Sequence, residues 1–206
     1  DRIIHCSAFR RLKYKTQVFV HHEEDYFRTR LSHSLEVSQL SRSISKVFNI
    51  NDDLTESISL SHDLGHTPFG HAGEEVLNKK MKGKGGFNHN YQALKILTVL
   101  EKKYLDFDGL NLTFETLDGI LKHNGPITSV LPSYIQNFIN FFDGEKKSQG
   151  SFEAQIAAIC DDIAYNNNDI DDGLYAGLFV IEELNELEII KDALKKINLK
   201  KSKEYR

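Results

Sequence analysis

The chain has 206 residues, with 26 Lys plus Arg against 30 Asp plus Glu and a formal net charge of −4. A 40% apolar share, 27% charged residues and only 3 Pro describe a globular chain able to bury a core, and exclude disordered and collagen-like states. No window approaches the roughly 18 apolar residues of a membrane span, Asp1 to Arg10 lacks the apolar core of a signal peptide, and Cys6 and Cys160 are too few for a disulfide framework, so a cytoplasmic, reducing location with no membrane partner is expected.

The only Met is Met81, so the sequence is read as beginning inside a reading frame or after processing. Apolar residues recur with a 3.6 period and no alternating runs occur, which predicts an all-α chain forming a single domain over 1–206. Helices are predicted over 31–49, 52–63, 71–82, 89–103, 113–123, 132–142, 151–170 and 173–197. Asp53 and Glu56 have capping-box spacing, Gly65 follows a helix as a C-terminal glycine would, and Gly125-Pro126 closes another. Lys82-Gly83-Lys84-Gly85-Gly86 reads as a surface loop. Lys191–Arg206 carries seven basic and two acidic residues and reads as a solvated helix end.

His33 heads the stripe Val37, Leu40, Ile44, Val47 and Phe48, so its imidazole points toward the core. His62 closes a second stripe, Leu54 and Ile58, and is followed directly by Asp63. Adjacent residues lie about 100° apart on a helix, so His62 and Asp63 can face one ion only where the helix ends, near Gly65. On the helix over 151–170, Asp161, Tyr165 and Asp169 are spaced four and four and form a polar stripe beside Phe152, Ile156, Ile159 and Ile163. Two imidazoles and two carboxylates suit one divalent ion of intermediate softness, such as Mn, Fe, Co, Ni or Zn. Four protein ligands leave about two positions for water and substrate. His71 and Glu74, at i and i+3, let a carboxylate orient an imidazole. Arg30 lies about one turn before His33, where a guanidinium can clamp phosphate; the bland reading is an ion pair with Glu23-Glu24-Asp25. His21-His22 reads as an exposed loop, and His123 as capping or core packing.

His33, His62-Asp63 and the distant Asp161 resemble the H…HD…D signature of the HD superfamily of metal-dependent phosphohydrolases. Longer stretches resemble its dGTPase-like branch, the deoxynucleoside triphosphate triphosphohydrolases. They are Asp1 to His5 with Arg10 to Phe19, Arg28 to Val37, His62 to His71, Phe87 to Asn90, and Asp161 to Tyr165, and the match covers about the first 180 residues.

The resemblance implies an HD-type helical bundle that hydrolyses a dNTP to deoxynucleoside and tripolyphosphate. It implies that His33, His62, Asp63 and Asp161 hold the divalent ion, for which Mg is a further candidate. It implies that Arg30 contacts phosphate, Gln17 lies near sugar and base, and Tyr165 and Asp169 read the deoxyribose. It also implies catalytic roles for His71 and Glu74, with His66 and His89 lining the same cavity. Family members are generally longer, so part of the C-terminal helical region is expected to be missing. They form dimer-based, often hexameric homo-oligomers, and some bind single-stranded DNA; the Lys79, Lys80, Lys82, Lys84 group reads as a solvated edge, and charge alone does not assign it to DNA. Asn168 stands where the family commonly has His. The alternatives are a catalytically idle chain acting as a nucleotide- or DNA-binding regulatory partner, and an HD nucleotidase acting on monophosphates.

Overall fold

The computed structural model describes residues 1–20, 26–128, 131–141 and 147–196. The predicted loop contacts of His21-His22 and Glu23-Glu24-Asp25, and the tail from residue 197 on, lie outside the described residues. Among the described residues the chain is all-α, with a lone antiparallel bridge between Thr16 and Thr29. The helices are α1 (Ser7–Arg11), α2 (Arg30–Phe48), α3 (Asp52–Ser61), α4 (Gly70–Lys80), α5 (His89–Lys95), α6 (Phe114–Lys122), α7 (Ser133–Phe141), α8 (Phe152–Tyr175) and α9 (Glu188–Lys196). None of the described helices is long and apolar enough to cross a membrane.

The chain divides into two compact units, Asp1–Asn168 and Asp169–Arg206. In the first, α2 packs along α3, and α3 and α5 both pack on α6. The main core draws on Leu12, Ile58, Leu64, Leu94, Leu97 and Ile120. Glu101 fixes α1 from 93 residues away, accepting the amide of Ala8 at 2.8 Å and that of Ser7 at 3.2 Å. Both cysteines are free and buried.

The apolar stripe of α2 does not carry through, since Val47 and Phe48 are exposed. Hydroxyls pack α2 against α3 instead: Ser41 meets Ser59 at 2.8 Å and Ser45 donates to Thr55 at 2.9 Å. These small, mutually satisfied groups bring the backbones of α2 and α3 close, and with them His33 and His62. Similarly, Phe152, Ile159 and Ile163 of α8 are exposed. The buried face of α8 is Ile156, Cys160 and Ala164, packed on Val37 of α2. Asp161, next to Cys160 on this helix, reaches His33 of α2.

Helix edges also depart from expectation at the caps. The capping box belongs to α2, between Thr29 and Ser32, while Asn51 caps α3 through the amide of Leu54. Asp52, Asp53 and Glu56 pair with Arg42. The helix predicted over 89–103 gives way after Lys95 to a wider π turn, Ile96–Leu100. Leu97 spends its carbonyl on the amide of Leu110, so Glu101 bonds to Ile96 instead of Leu97.

In the second unit, the helix predicted over 173–197 is broken. The amide of Leu178 returns to the carbonyl of Gly173, and that of Gly177 to Leu174, a Schellman ending with Gly177 at φ +67°. A 3₁₀ turn, Glu183–Glu186, then precedes α9.

Gly65 serves a different purpose from the cap expected of it. A Cβ there would stand 2.0 Å from the carbonyl oxygen of His89 and 2.4 Å from the amide nitrogen of Ala93. The turn after α3 is thus pressed against the start of α5. Gly65→Ala should cost about 1–3 kcal/mol by overpacking, or about 5 °C in Tm. A thermal melt superimposable on the parent would show that the two segments separate freely.

Candidate functional site

Backbone geometry assembles the site from four helix ends and one helix side. α3 stops at Ser61, and the turn that follows, with the amide of His66 bonded to the carbonyl of Asp63, aims His62, Asp63 and His66 inward. α2 contributes Arg30 and His33 from its first turn, α4 and α5 contribute His71, Glu74 and His89, and α8 contributes Asp161. A cavity of about 510 Å³ opens over all of these but Glu74, lined also by Gln17 and Tyr165. Such a volume is in the range of small-molecule sites.

On the cavity floor His33 Nε2 lies 2.8 Å from Asp161 Oδ1, and the same oxygen is 3.6 Å from His62 Nε2. His62 Nδ1–H donates to the carbonyl of Ser59 at 2.7 Å, so in the neutral ring Nε2 bears the lone pair. That buried nitrogen makes no hydrogen bond among the described residues. His33, His62 and Asp161 present donor atoms within 4.8 Å of one another, a group able to hold a metal ion. A backbone carbonyl that fixes an imidazole tautomer is the usual support for a metal-ligating histidine.

Asp63 is less free than its helix-end position implied. Its Oδ2 accepts from Arg30 Nη1 at 2.7 Å, with both side chains only 5% exposed, while Oδ1 faces His62 Nε2 at 3.5 Å and His66 Nε2 at 3.6 Å. Arg30 is buried beside the candidate metal ligands, with Nε unpartnered among the described residues.

The electrostatics favour a cation. Burial opposes charging of His62, but Asp63 and Asp161 outweigh it and raise the imidazole to about 9. Burial also opposes ionisation of Asp63, yet His62 and Arg30 hold it well below the ordinary carboxylate range. Asp161 is held down as well, burial being overcome by the charge of His62 and the His33 hydrogen bond. An imidazolium between two carboxylates occupies a place where positive charge is wanted. The donor set therefore fits a divalent ion.

A second group stands across Asp63. His66 and His89 stack at 4.1 Å between ring centroids, and His71 meets His66 edge-on at 4.9 Å. Glu74, expected to orient His71, lies closer to His89: it accepts the His89 amide at 2.8 Å and faces His89 Nδ1 at 2.9 Å, against 3.4 Å to His71 Nδ1. Those His89 hydrogen bonds, against the opposing effect of burial, lower Glu74 to about 2. Burial, aided by Arg30 and the neighbouring histidines and resisted by Asp63, drops His66 to about 3 and keeps it neutral. His71 is open to solvent, its side chain 78% exposed. Phe69, at the cavity mouth, takes a left-handed φ of 64° just before α4, backbone strain of a kind that clusters at functional sites.

His123 was missed as a site residue. It lines the cavity, donates Nδ1–H to the carbonyl of Ile120 at 2.7 Å and meets the His62 ring edge-on at 5.6 Å. Burial and the charge of His62 lower it to about 4. The signal was present: His123 extends the buried Leu117 and Ile120 face of α6 as His62 extends that of α3. Asn168 donates to Glu36 Oε2 of α2 at 2.6 Å, a tie between helices that gives this position a structural role. Asp169 begins the second unit.

A protein-family model described as HD domain matches residues 30–166, which carry all the floor residues. Deoxyguanosinetriphosphate triphosphohydrolase-like proteins of Parvibaculum lavamentivorans and Bradyrhizobium sp. are each 57% identical, over 203 and 190 residues, and one of Paracoccus denitrificans is 55% identical over 198. These alignments cover 96%, 92% and 96% of this chain but 51%, 49% and 52% of the relatives. The chain thus spans about half the length of the curated relatives it matches. The motif resemblance and the helical site lead to one assignment: the chain belongs to the HD-domain family, in the company of deoxyguanosinetriphosphate triphosphohydrolase-like proteins.

Proposed function

We propose that the chain is the catalytic part of a metal-dependent deoxynucleoside triphosphate triphosphohydrolase. The observation that carries this reading is the convergence of His33, His62, Asp63 and Asp161 under a cavity beside the buried guanidinium of Arg30. These four residues would hold one divalent ion. When bound, the ion supplies positive charge against phosphoryl oxygens and activation of water.

The rest falls to the protein. Arg30, pinned by Asp63, offers its remaining donors to a phosphate oxygen in a fixed orientation. Gln17, whose Oε1 is buried without a partner among the described residues, reads sugar and base, while Tyr165 contacts the deoxyribose. Water attacks the α-phosphorus and the bond from phosphorus to the 5′-oxygen breaks. A proton then goes to the departing oxygen from His71, at the open edge of the cavity, with Glu74, His66 and His89 fixing the surrounding ring positions. The wider reading is a cytoplasmic, dimer-based assembly of HD-type domains, to which single-stranded DNA binds as a further partner.

Product analysis tests the reaction. The purified chain, incubated with manganese and each dNTP, is expected to release tripolyphosphate and deoxynucleoside. Phosphate released from monophosphates alone would make it a nucleotidase, and no product from metal-loaded protein would make it a binding partner.

A further inference from the structure

We infer that His66, His71, Glu74 and His89 form a second metal site, selective for zinc-class ions, on the far side of Asp63 from the first group. One ligand atom from each residue lies within 4.8 Å of the others. Three imidazoles and a carboxylate are a zinc-type donor set. Donors on a tetrahedral zinc, with bonds of about 2.0–2.1 Å, sit roughly 3.4 Å apart, so the cluster must contract by about an ångström. His71 sits in the first turn of α4 with a largely exposed side chain, and its Nδ1 already lies 3.4 Å from Glu74 Oε2. The other members are already held, since α5 starts against Gly65 and Glu74 grips His89 through amide and ring.

A second observation points to a ligand. His66 is buried, at 5% exposure, and its Nδ1 makes no hydrogen bond among the described residues. Its ring stacks against that of His89 at 4.1 Å, which brings the two imidazoles together beside Glu74. Asp63 adjoins both groups through one oxygen, its Oδ1 lying 3.5 Å from His62 Nε2 and 3.6 Å from His66 Nε2. If the proposed hydrolysis is correct, zinc at the second site takes the lone pairs of His71 and Glu74 and stops it. Zinc is then an inhibitor where manganese at the first site is the activator.

The test is zinc content after equilibrium dialysis of the whole chain, measured by elemental analysis. The parent is expected to hold two zinc ions per chain. Asp161→Ala and His89→Ala should each hold one, and the double variant none. His71→Ala, which removes only an exposed ring, serves if circular dichroism finds His89→Ala unfolded, and it too should hold one. Cobalt bound to Asp161→Ala should give the intense visible absorption of a four-coordinate nitrogen-rich site, and that band should vanish on adding His71→Ala. One zinc in the parent, undiminished in His89→Ala or His71→Ala, overturns the inference. Activity separates it from the function proposed above. Two zinc ions with no hydrolysis under manganese leave the site standing and remove the triphosphohydrolase; hydrolysis with one zinc does the reverse.

Discussion

Asp63→Ala should lose bound manganese and hydrolysis together and also lower Tm by on the order of 10 °C. The first loss follows from the placement of Asp63 Oδ1 beside His62. The second follows from Arg30, whose guanidinium is buried and bonded to Asp63 Oδ2 at 2.7 Å. Removing one partner of a buried pair strands the other charge, at about 3–5 kcal/mol, and each kcal/mol is about 2–4 °C for a chain of this size. Asp161→Ala is the matched control. Its side chain is 30% exposed and pairs with imidazoles on the cavity side, so it should lose the manganese but only a small part of the thermal stability. Measured manganese content and melting curves of the two variants separate ligation from pairing. A full complement of manganese in Asp63→Ala would take Asp63 out of the ligand set, and an unchanged Tm would show that Arg30 finds another partner.

His71→Ala is expected to lower kcat by about 10²–10⁴-fold while keeping manganese and Tm, the range for loss of a general acid or base. Exposure of the ring is the reason stability should not move. Glu74→Ala should lower kcat as well and in addition soften the fold, because it releases both the amide and the ring of His89. Steady-state kinetics on the two variants, with KM and kcat resolved, check this. If His71→Ala turns over at the parent rate, the proton for the leaving oxygen comes from elsewhere, and His89, stacked on His66 in the same group, is the next residue to change.

Inward histidines were legible in the sequence because each extends an apolar stripe: His33 precedes Val37, and His62 follows Ile58, and both are buried. Asp161 was separable from Asp162 for the same reason, by its alignment with Tyr165. His123 carried the same signal on α6 but was read as capping or core packing. The hydroxyl packing of Ser41, Ser45, Thr55 and Ser59 is invisible to a search for apolar periodicity, since its residues score as polar while filling the interface. The Arg30–Asp63 bond joins positions 33 apart, and no local rule relates them. The break at Gly177 was readable in principle, but a glycine amid helix formers costs only about 1 kcal/mol, too little to end a predicted helix unless the Schellman bonds are known.

The shared carboxylate of Asp63 also makes the site a thermodynamic balance. With an ion held as proposed, Arg30 and that ion would draw on opposite oxygens of one group, so electron density given to one would be withdrawn from the other. Loading the floor loosens the hold of Asp63 on the guanidinium, which then has more to offer an anion. By reciprocity, an anion that engages Arg30 returns carboxylate charge to the floor and tightens the grip on the ion by the same factor. On the proposed function, cooperativity between cation and phosphate would rest on a single side chain.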